Sequence, residues 1–196
     1  MSITGGLASG KTSVNLIFRE LGAFVVFSDE IVHYLLSPHT DLGKTIIELL
    51  GPEIVKDDKL DRKVIANKVF SDYCLLDELE KIIHPKVHEA IEEMYLKAVS
   101  SNKKILFVVE IPFLYTSGHA DWYDTGIYVS TTETERKKRF VLNRQQDLSE
   151  FERRAQRFMP DKDACNLANI VIDNNGSMAN LRSHVLNIFN FLKETP

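Results

Sequence analysis

The chain is short of cysteine, of positive charge and of long apolar runs. Its 196 residues include two cysteines, Cys74 and Cys165. They lie far apart and form no C-x-x-C pair, so a disulfide framework is not expected and free thiols in a reducing cytoplasm are. Lysine and arginine number 24 against 28 aspartates and glutamates, a formal net charge of −4. A nucleic-acid partner calls for a basic face, so none is expected, although net charge does not argue against a single local anion pocket. No stretch approaches the roughly 20 apolar residues of a membrane-spanning helix. The longest apolar runs, residues 24–27 and 105–109, have the length of strands. No basic segment followed by an apolar one opens the chain, so no signal peptide is expected. Repeats and low-complexity segments are also lacking. The composition that remains is ordinary for a globular protein, 44% hydrophobic and 27% charged, and the length suits one compact domain carrying small insertions.

The N-terminal part alternates in a way that predicts a parallel sheet. A short start, Met1-Ser2-Ile3-Thr4, runs into a glycine cluster. A helical pattern follows, with Val14, Ile17, Phe18 and Leu21 on one face and Gly22 just past its end. Residues 23–27 then read as a buried strand. Strand, glycine loop, helix, strand is the order of an α/β protein with helices covering a parallel sheet. Residues 30–101 read as almost wholly helical, punctuated by Pro38, Gly51-Pro52 and Pro85, with no strand expected. Pro85 fits the first position of a helix. Strands resume at 105–109, 127–129 and 170–172, and a charged, arginine-rich helical region occupies 132–158. A last amphipathic helix starts at Ser177, with Leu181, Val185, Ile188 and Leu192 on its apolar face.

Gly5-Gly6-Leu7-Ala8-Ser9-Gly10-Lys11-Thr12 fits G-x-x-x-x-G-K-[ST] at every fixed position. Glycines let the backbone wrap closely around phosphates with several N–H groups turned inward. The helix that follows adds its positive end. The segment Gly6, Leu7, Ala8, Ser9, Gly10, Lys11, Thr12 and Ser13 is therefore expected to hold ATP. Lys11 would reach the β- and γ-phosphates and the Thr12 hydroxyl would ligate Mg2+. A chance match in a flexible loop is the alternative, and the flanking strand and helix weigh against it. A switch GTPase would need N-K-x-D, and the nearest sequence, Asn67-Lys68-Val69-Phe70, lacks the aspartate. A non-catalytic ATP-binding scaffold would lack a catalytic carboxylate or a lid, and this chain offers both. The expectation is a small P-loop kinase that phosphorylates a hydroxyl.

Other residues admit two readings. Asp29 stands just beyond the second strand, where a base could orient an acceptor hydroxyl, but Ser28 or Asp29 could equally cap a helix beginning near Glu30. Glu110 ends an apolar strand and could hold a magnesium-bound water or fix a neighbouring loop. Arg136, Lys137, Lys138, Arg139, Arg144, Arg153, Arg154 and Arg157 could form a solvated face balanced by glutamates. Kinase chemistry nonetheless needs cations over the γ-phosphate, and Arg139 with Arg144 is the favoured closing pair. His84 and His88 lie one helical turn apart, but a metal-binding pair of that kind would carry Glu after the first His, and here Pro85 stands there. His88 is expected on the surface.

Taken in order, the motifs resemble a known family. The phosphate loop is followed by Ser28-Asp29-Glu30-Ile31, then Leu79-Glu80-Lys81-Ile82-Ile83-His84-Pro85, Glu110-Ile111-Pro112-Phe113-Leu114, the arginine-rich segment and Val171-Ile172-Asp173-Asn174-Asn175-Gly176. This set resembles dephospho-CoA kinase over nearly the whole chain. The resemblance implies an adenylate-kinase-like fold with a five-stranded parallel sheet. It implies a nucleotide-binding core at 1–33, 104–134 and 166–196, a helical substrate domain at 34–103 and a lid at 135–165. It implies transfer of phosphate from ATP to the ribose 3′-hydroxyl of dephospho-CoA; a cytoplasmic monomer or weak oligomer is expected. Asn175 and Gly176 would border the adenine, and His84, Pro112 and Leu114, with Asp29, would meet the acceptor. Nucleoside monophosphate or shikimate phosphorylation is the alternative. The chain departs from the family pattern at Phe27-Ser28-Asp29, where Asp-Ala-Asp is usual, at Glu110, usually Asp, and at Arg136, usually Gln. The segment between Arg144 and Leu148 is one residue longer than usual.

Overall fold

The computed structural model describes residues 1–101, 105–144 and 147–194. Its strands are β1 (Ser2–Gly5), β2 (Phe24–Phe27), β3 (Val55–Lys56), β4 (Lys59–Leu60), β5 (Phe107–Glu110), β6 (Gly126–Ser130) and β7 (Ile170–Asp173). Its helices are α1 (Lys11–Glu20), α2 (Ser28–Leu35), α3 (Asp41–Leu50), α4 (Arg62–Ser71), α5 (Tyr73–Ser101), α6 (Glu133–Arg144), α7 (Leu148–Ala155), α8 (Asp161–Leu167) and α9 (Met178–Glu194). The chain divides into two compact units, Met1–Phe27 with Ala98–Pro196, and Ser28–Lys97. No helix among the described residues is long and apolar enough to cross a membrane.

The first unit is built on a five-stranded sheet in the order β2-β5-β1-β6-β7. Every pairing is parallel, with Ile3 opposite both Glu110 and Ile127, and Ser130 opposite Asp173. Parallel strands need helical crossovers, and helices on both faces leave the inner strands dry. Ile3, Val108, Val109, Ile127 and Val129 are accordingly fully buried. α1 contributes Val14, Ile17 and Phe18 to this core, and α9 contributes Leu181, Val185 and Phe189. The Phe18 and Phe189 rings meet at 6.4 Å. Burying a side chain of that size contributes about 2–3 kcal/mol. α9 opens where Ser177 Oγ accepts the backbone N–H of Asn180 at 3.2 Å, the cap that halts its fraying. The chain leaves β1 for β2 on one side of the sheet and later adds β6 on the other. The loop after β1 therefore sits where the strand order reverses, which is where open α/β sheets bind ligands.

A smaller cluster lies on the same unit. Leu7 of the glycine loop packs with Phe140 of α6 and Phe151 of α7, whose rings meet edge to face at 5.5 Å and 74°. The region expected to be a lid thus takes its apolar anchor from the phosphate loop itself.

The second unit is helical around Ile46, Leu50, Ile54, Leu60, Ile65, Val69 and Leu79. Thr40 caps α3 through Gly43 N at 2.9 Å, and Asp61 caps α4 through Lys63 N at 2.9 Å. Three expectations are corrected here. The segment is not free of strands, because β3 and β4 form an antiparallel hairpin with Lys56 opposite Lys59. Its turn residues Asp57 and Asp58 both have positive φ, 49° and 59°, as a two-residue hairpin turn requires. Pro85 does not start a helix but lies inside α5. A proline there removes one ladder bond, which the remaining turns of a 29-residue helix tolerate. His88 is half-buried, not on the surface as expected.

Candidate active site

The glycine loop joins β1 to α1, as its sequence requires. Ala8 and Gly10 have positive φ, 59° and 96°. The Lys11 side chain folds back over the loop, and its Nζ donates to the carbonyls of Gly5 at 2.9 Å and Gly6 at 3.0 Å. It is 9% exposed, and the Phe158 ring covers it with its centroid 5.5 Å from Nζ. A buried ammonium held by backbone carbonyls is a cation already desolvated at the loop.

The first turn of α1 presents Thr12 to solvent, with Ser13 half-buried. One turn on, the buried Asn15 donates from Nδ2 to Lys11 O at 3.0 Å and to Glu110 Oε2 at 2.7 Å. Glu110 therefore bonds the helix that follows the loop. Thr12 and Glu110 are hard oxygen donors of the kind magnesium takes alongside water and phosphate. Among the described residues no group of three or more His, Cys, Asp or Glu could hold a metal by itself.

Of the expected closing pair, Arg139 is engaged. Arg139 donates to Ser9 O at 3.4 Å and to Asn174 O at 2.7 Å. Arg136 is 9% exposed; it donates from Nε to Thr131 O at 3.2 Å and from Nη2 to Asp161 Oδ2 at 3.0 Å. Its Nη1 lies against Gly6, where an added Cβ would come within 2.5 Å and force the guanidinium aside. Asp161 also accepts the Tyr128 hydroxyl. Burial first, and then that hydrogen bond, push the Tyr128 phenol far above its ordinary range. Arg157 lies over the Phe113 ring at 4.6 Å, and Phe113 packs on Phe158. The Arg144 side chain lies outside the described residues.

Asp29 is exposed and is the second residue of α2, inside its first turn. The helix begins at Ser28, so Asp29 is not its cap. His84 is half-buried on α5. Both belong to the second unit. Pro112 follows β5, and its carbonyl accepts Thr4 Oγ1 at 3.2 Å. Leu114, expected among the acceptor contacts, is 1% exposed, its side chain part of the core. Asn175 is exposed, accepts Thr132 N at 2.9 Å and donates to Asp173 Oδ1 at 2.7 Å, and Gly176 beside it is also exposed. Sequence reasoning missed Asn174, Thr131, Asn15 and Asp161. All four are polar and partnered in or near the interior, a property that side-chain type alone does not reveal. Asn174 had one visible signal, its place in the motif at 171–176.

Comparison with known proteins agrees with this geometry. The dephospho-CoA kinase family model matches residues 1–180. A dephospho-CoA kinase from Chlamydia caviae is 42% identical over 193 residues, covering 98% of this chain and 96% of that protein. A crystal structure of a Thermus thermophilus protein superposes with a TM-score of 0.82 at 27% identity, covering 97% of this chain and 96% of the other. A dephospho-CoA kinase structure from Campylobacter jejuni shares the fold with a TM-score of 0.73 at 24% identity, covering 98% and 96%.

Proposed function

The chain belongs to the dephospho-CoA kinase family, and we propose that it transfers the γ-phosphate of ATP to the ribose 3′-hydroxyl of dephospho-CoA, giving coenzyme A and ADP. The observation that carries this reading is the full-length family match on a chain whose phosphate-loop lysine is already desolvated at the loop. The nucleoside monophosphate and shikimate alternatives are not favoured.

In the reaction the 3′-oxygen forms a bond to the γ-phosphorus, and the bond from that phosphorus to the β–γ bridging oxygen breaks. Negative charge passes to the leaving ADP and spreads over the transferred group. Lys11 is proposed to follow that charge, with backbone N–H groups of the loop as further donors. Asp29 is the proposed base, a carboxylate that would orient the hydroxyl and take its proton. Magnesium, when bound, neutralises the phosphate oxygens; Thr12 would hold it directly and Glu110 through water. Arg144 remains a proposed lid cation, whereas Arg139 supports the loops. His84 and Pro112 are proposed to meet the acceptor, and Asn175 and Gly176 to border the adenine. The free thiols Cys74 and Cys165 suit a reducing, cytoplasmic setting. We further propose a core of 1–33, 104–134 and 166–196, a substrate domain of 34–103 and a lid of 135–165.

Calorimetric titration with dephospho-CoA tests the acceptor assignment. Saturable binding of dephospho-CoA, with none of shikimate, is the expected result; the reverse preference contradicts it.

A further inference from the structure

The Ser9 carbonyl of the phosphate loop accepts three hydrogen bonds from outside the loop. Asn174 Nδ2 donates at 2.8 Å, Thr131 Oγ1 at 2.9 Å and Arg139 Nη1 at 3.4 Å. Arg139 Nη2 also donates to the Asn174 carbonyl at 2.7 Å, so the donors are tied to one another as well as to Ser9. Ser9, Thr131 and Asn174 are all buried, Asn174 at 7% exposure.

A trans peptide is planar, and its C=O and N–H point in opposite directions. Holding Ser9 O toward these three donors therefore turns the Gly10 N–H the other way. Gly10 makes the arrangement possible twice over. Its φ of +96° disfavours a side chain, and an added Cβ would stand 2.2 Å from Asn174 Nδ2. The close approach of Asn174 and the glycine at position 10 are one feature.

We propose that Asn174 is a positioning residue for phosphoryl transfer. With Thr131 and Arg139 it locks the Ser9–Gly10 peptide of the phosphate loop, acting through the loop and not on the substrate. The inference rests on the reading that this loop holds the phosphates of ATP. Three elements meet at one carbonyl: Thr131 just after β6, Arg139 on α6 and Asn174 just after β7. A donor array that is rigid before binding needs no reorganisation when charge develops, which is the physical basis of electrostatic preorganisation. A loop whose peptide can rotate must be ordered by the nucleotide, and affinity falls accordingly. The same hydrogen bonds make Arg139 part of the brace.

The test is Asn174→Asp, which keeps the shape, removes the N–H donor and sets a carboxylate against the Ser9 oxygen. Affinity for the β,γ-imido analogue of ATP with magnesium is read by calorimetry, without acceptor, so the result does not depend on the acceptor's identity. The expected result is a Kd raised about tenfold or more. Thr131→Val removes a second donor to the same oxygen, and its effect in the Asn174→Asp background is expected to be less than additive. A merely structural role would lower thermal stability without nucleotide and leave Kd unchanged in the folded fraction. A wild-type Kd in folded Asn174→Asp protein, or additive effects of the two substitutions, overturns the proposal. Should Asn174→Asp not fold, a wild-type Kd in both Thr131→Val and Arg139→Lys overturns it equally.

Discussion

Arg136 and Asp161 form a 3.0 Å ion pair that joins α6 to the first turn of α8 beside the phosphate loop. The arginine side chain is 11% exposed and the aspartate 32%. Breaking a fully buried pair costs more than breaking a surface one, and this pair lies between the two. Asp161→Asn is therefore expected to cost about 1–3 kcal/mol, read as a fall of several degrees in the thermal midpoint. Because Arg136 rests on Gly6, the KM for ATP is expected to rise more than kcat falls. An unchanged midpoint and an unchanged KM would show that the pair carries nothing.

Gly10→Ala is expected to fail more severely than an ordinary surface substitution. The new methyl meets Asn174 Nδ2 at 2.2 Å with φ at +96°. Either the loop or the Asn174 side chain must move, and both outcomes weaken nucleotide binding. Steady-state kinetics and calorimetry check this; wild-type affinity for ATP would contradict the close approach.

Lys11→Met removes the cation while keeping an apolar stem under the Phe158 ring. Turnover is expected to fall on the order of 100-fold or more, with folding retained. Circular dichroism checks the fold and a coupled ADP assay checks the rate. Near-normal turnover would remove Lys11 from the reaction.

Much of the first unit was legible because its signals are local. The fixed spacing of Gly5, Gly10, Lys11 and Thr12, the apolar strands and the helical stripes of α1 and α9 are all read within short windows. The β3–β4 hairpin was not legible, because its strands have two residues each and its turn is Asp57-Asp58, not the Asn-Gly pair that marks such turns. Pro85 misled because a proline reads as a boundary, whereas a long helix can lose one bond and continue. Asn174 and Asn175 look alike in the chain. One is buried against Ser9 and the other is exposed, a difference made by the sheet register and not by residue type. Arg139 carried the right charge for a lid, but its partners, Ser9 and Asn174, are distant in sequence.

Asp29→Asn tests the proposed base. The side chain stands in the first turn of α2, where a negative charge gains about 0.3–1 kcal/mol from the helix dipole. The stability loss is thus expected to be small. Loss of the base is expected to cost on the order of 100-fold in kcat, with binding of ATP and dephospho-CoA retained. A kcat near that of the wild type would move the role to Glu110.

Product analysis tests the acceptor and the reaction together. The purified protein is incubated with ATP and magnesium and, in separate reactions, with dephospho-CoA, a nucleoside monophosphate and shikimate. ADP release is followed, and the acceptor is examined by mass spectrometry and phosphorus NMR. ADP is expected in equal amount to a product that is dephospho-CoA plus one phosphoryl group on the ribose 3′-oxygen. Phosphorylation of a nucleoside monophosphate or shikimate with none of dephospho-CoA would contradict it.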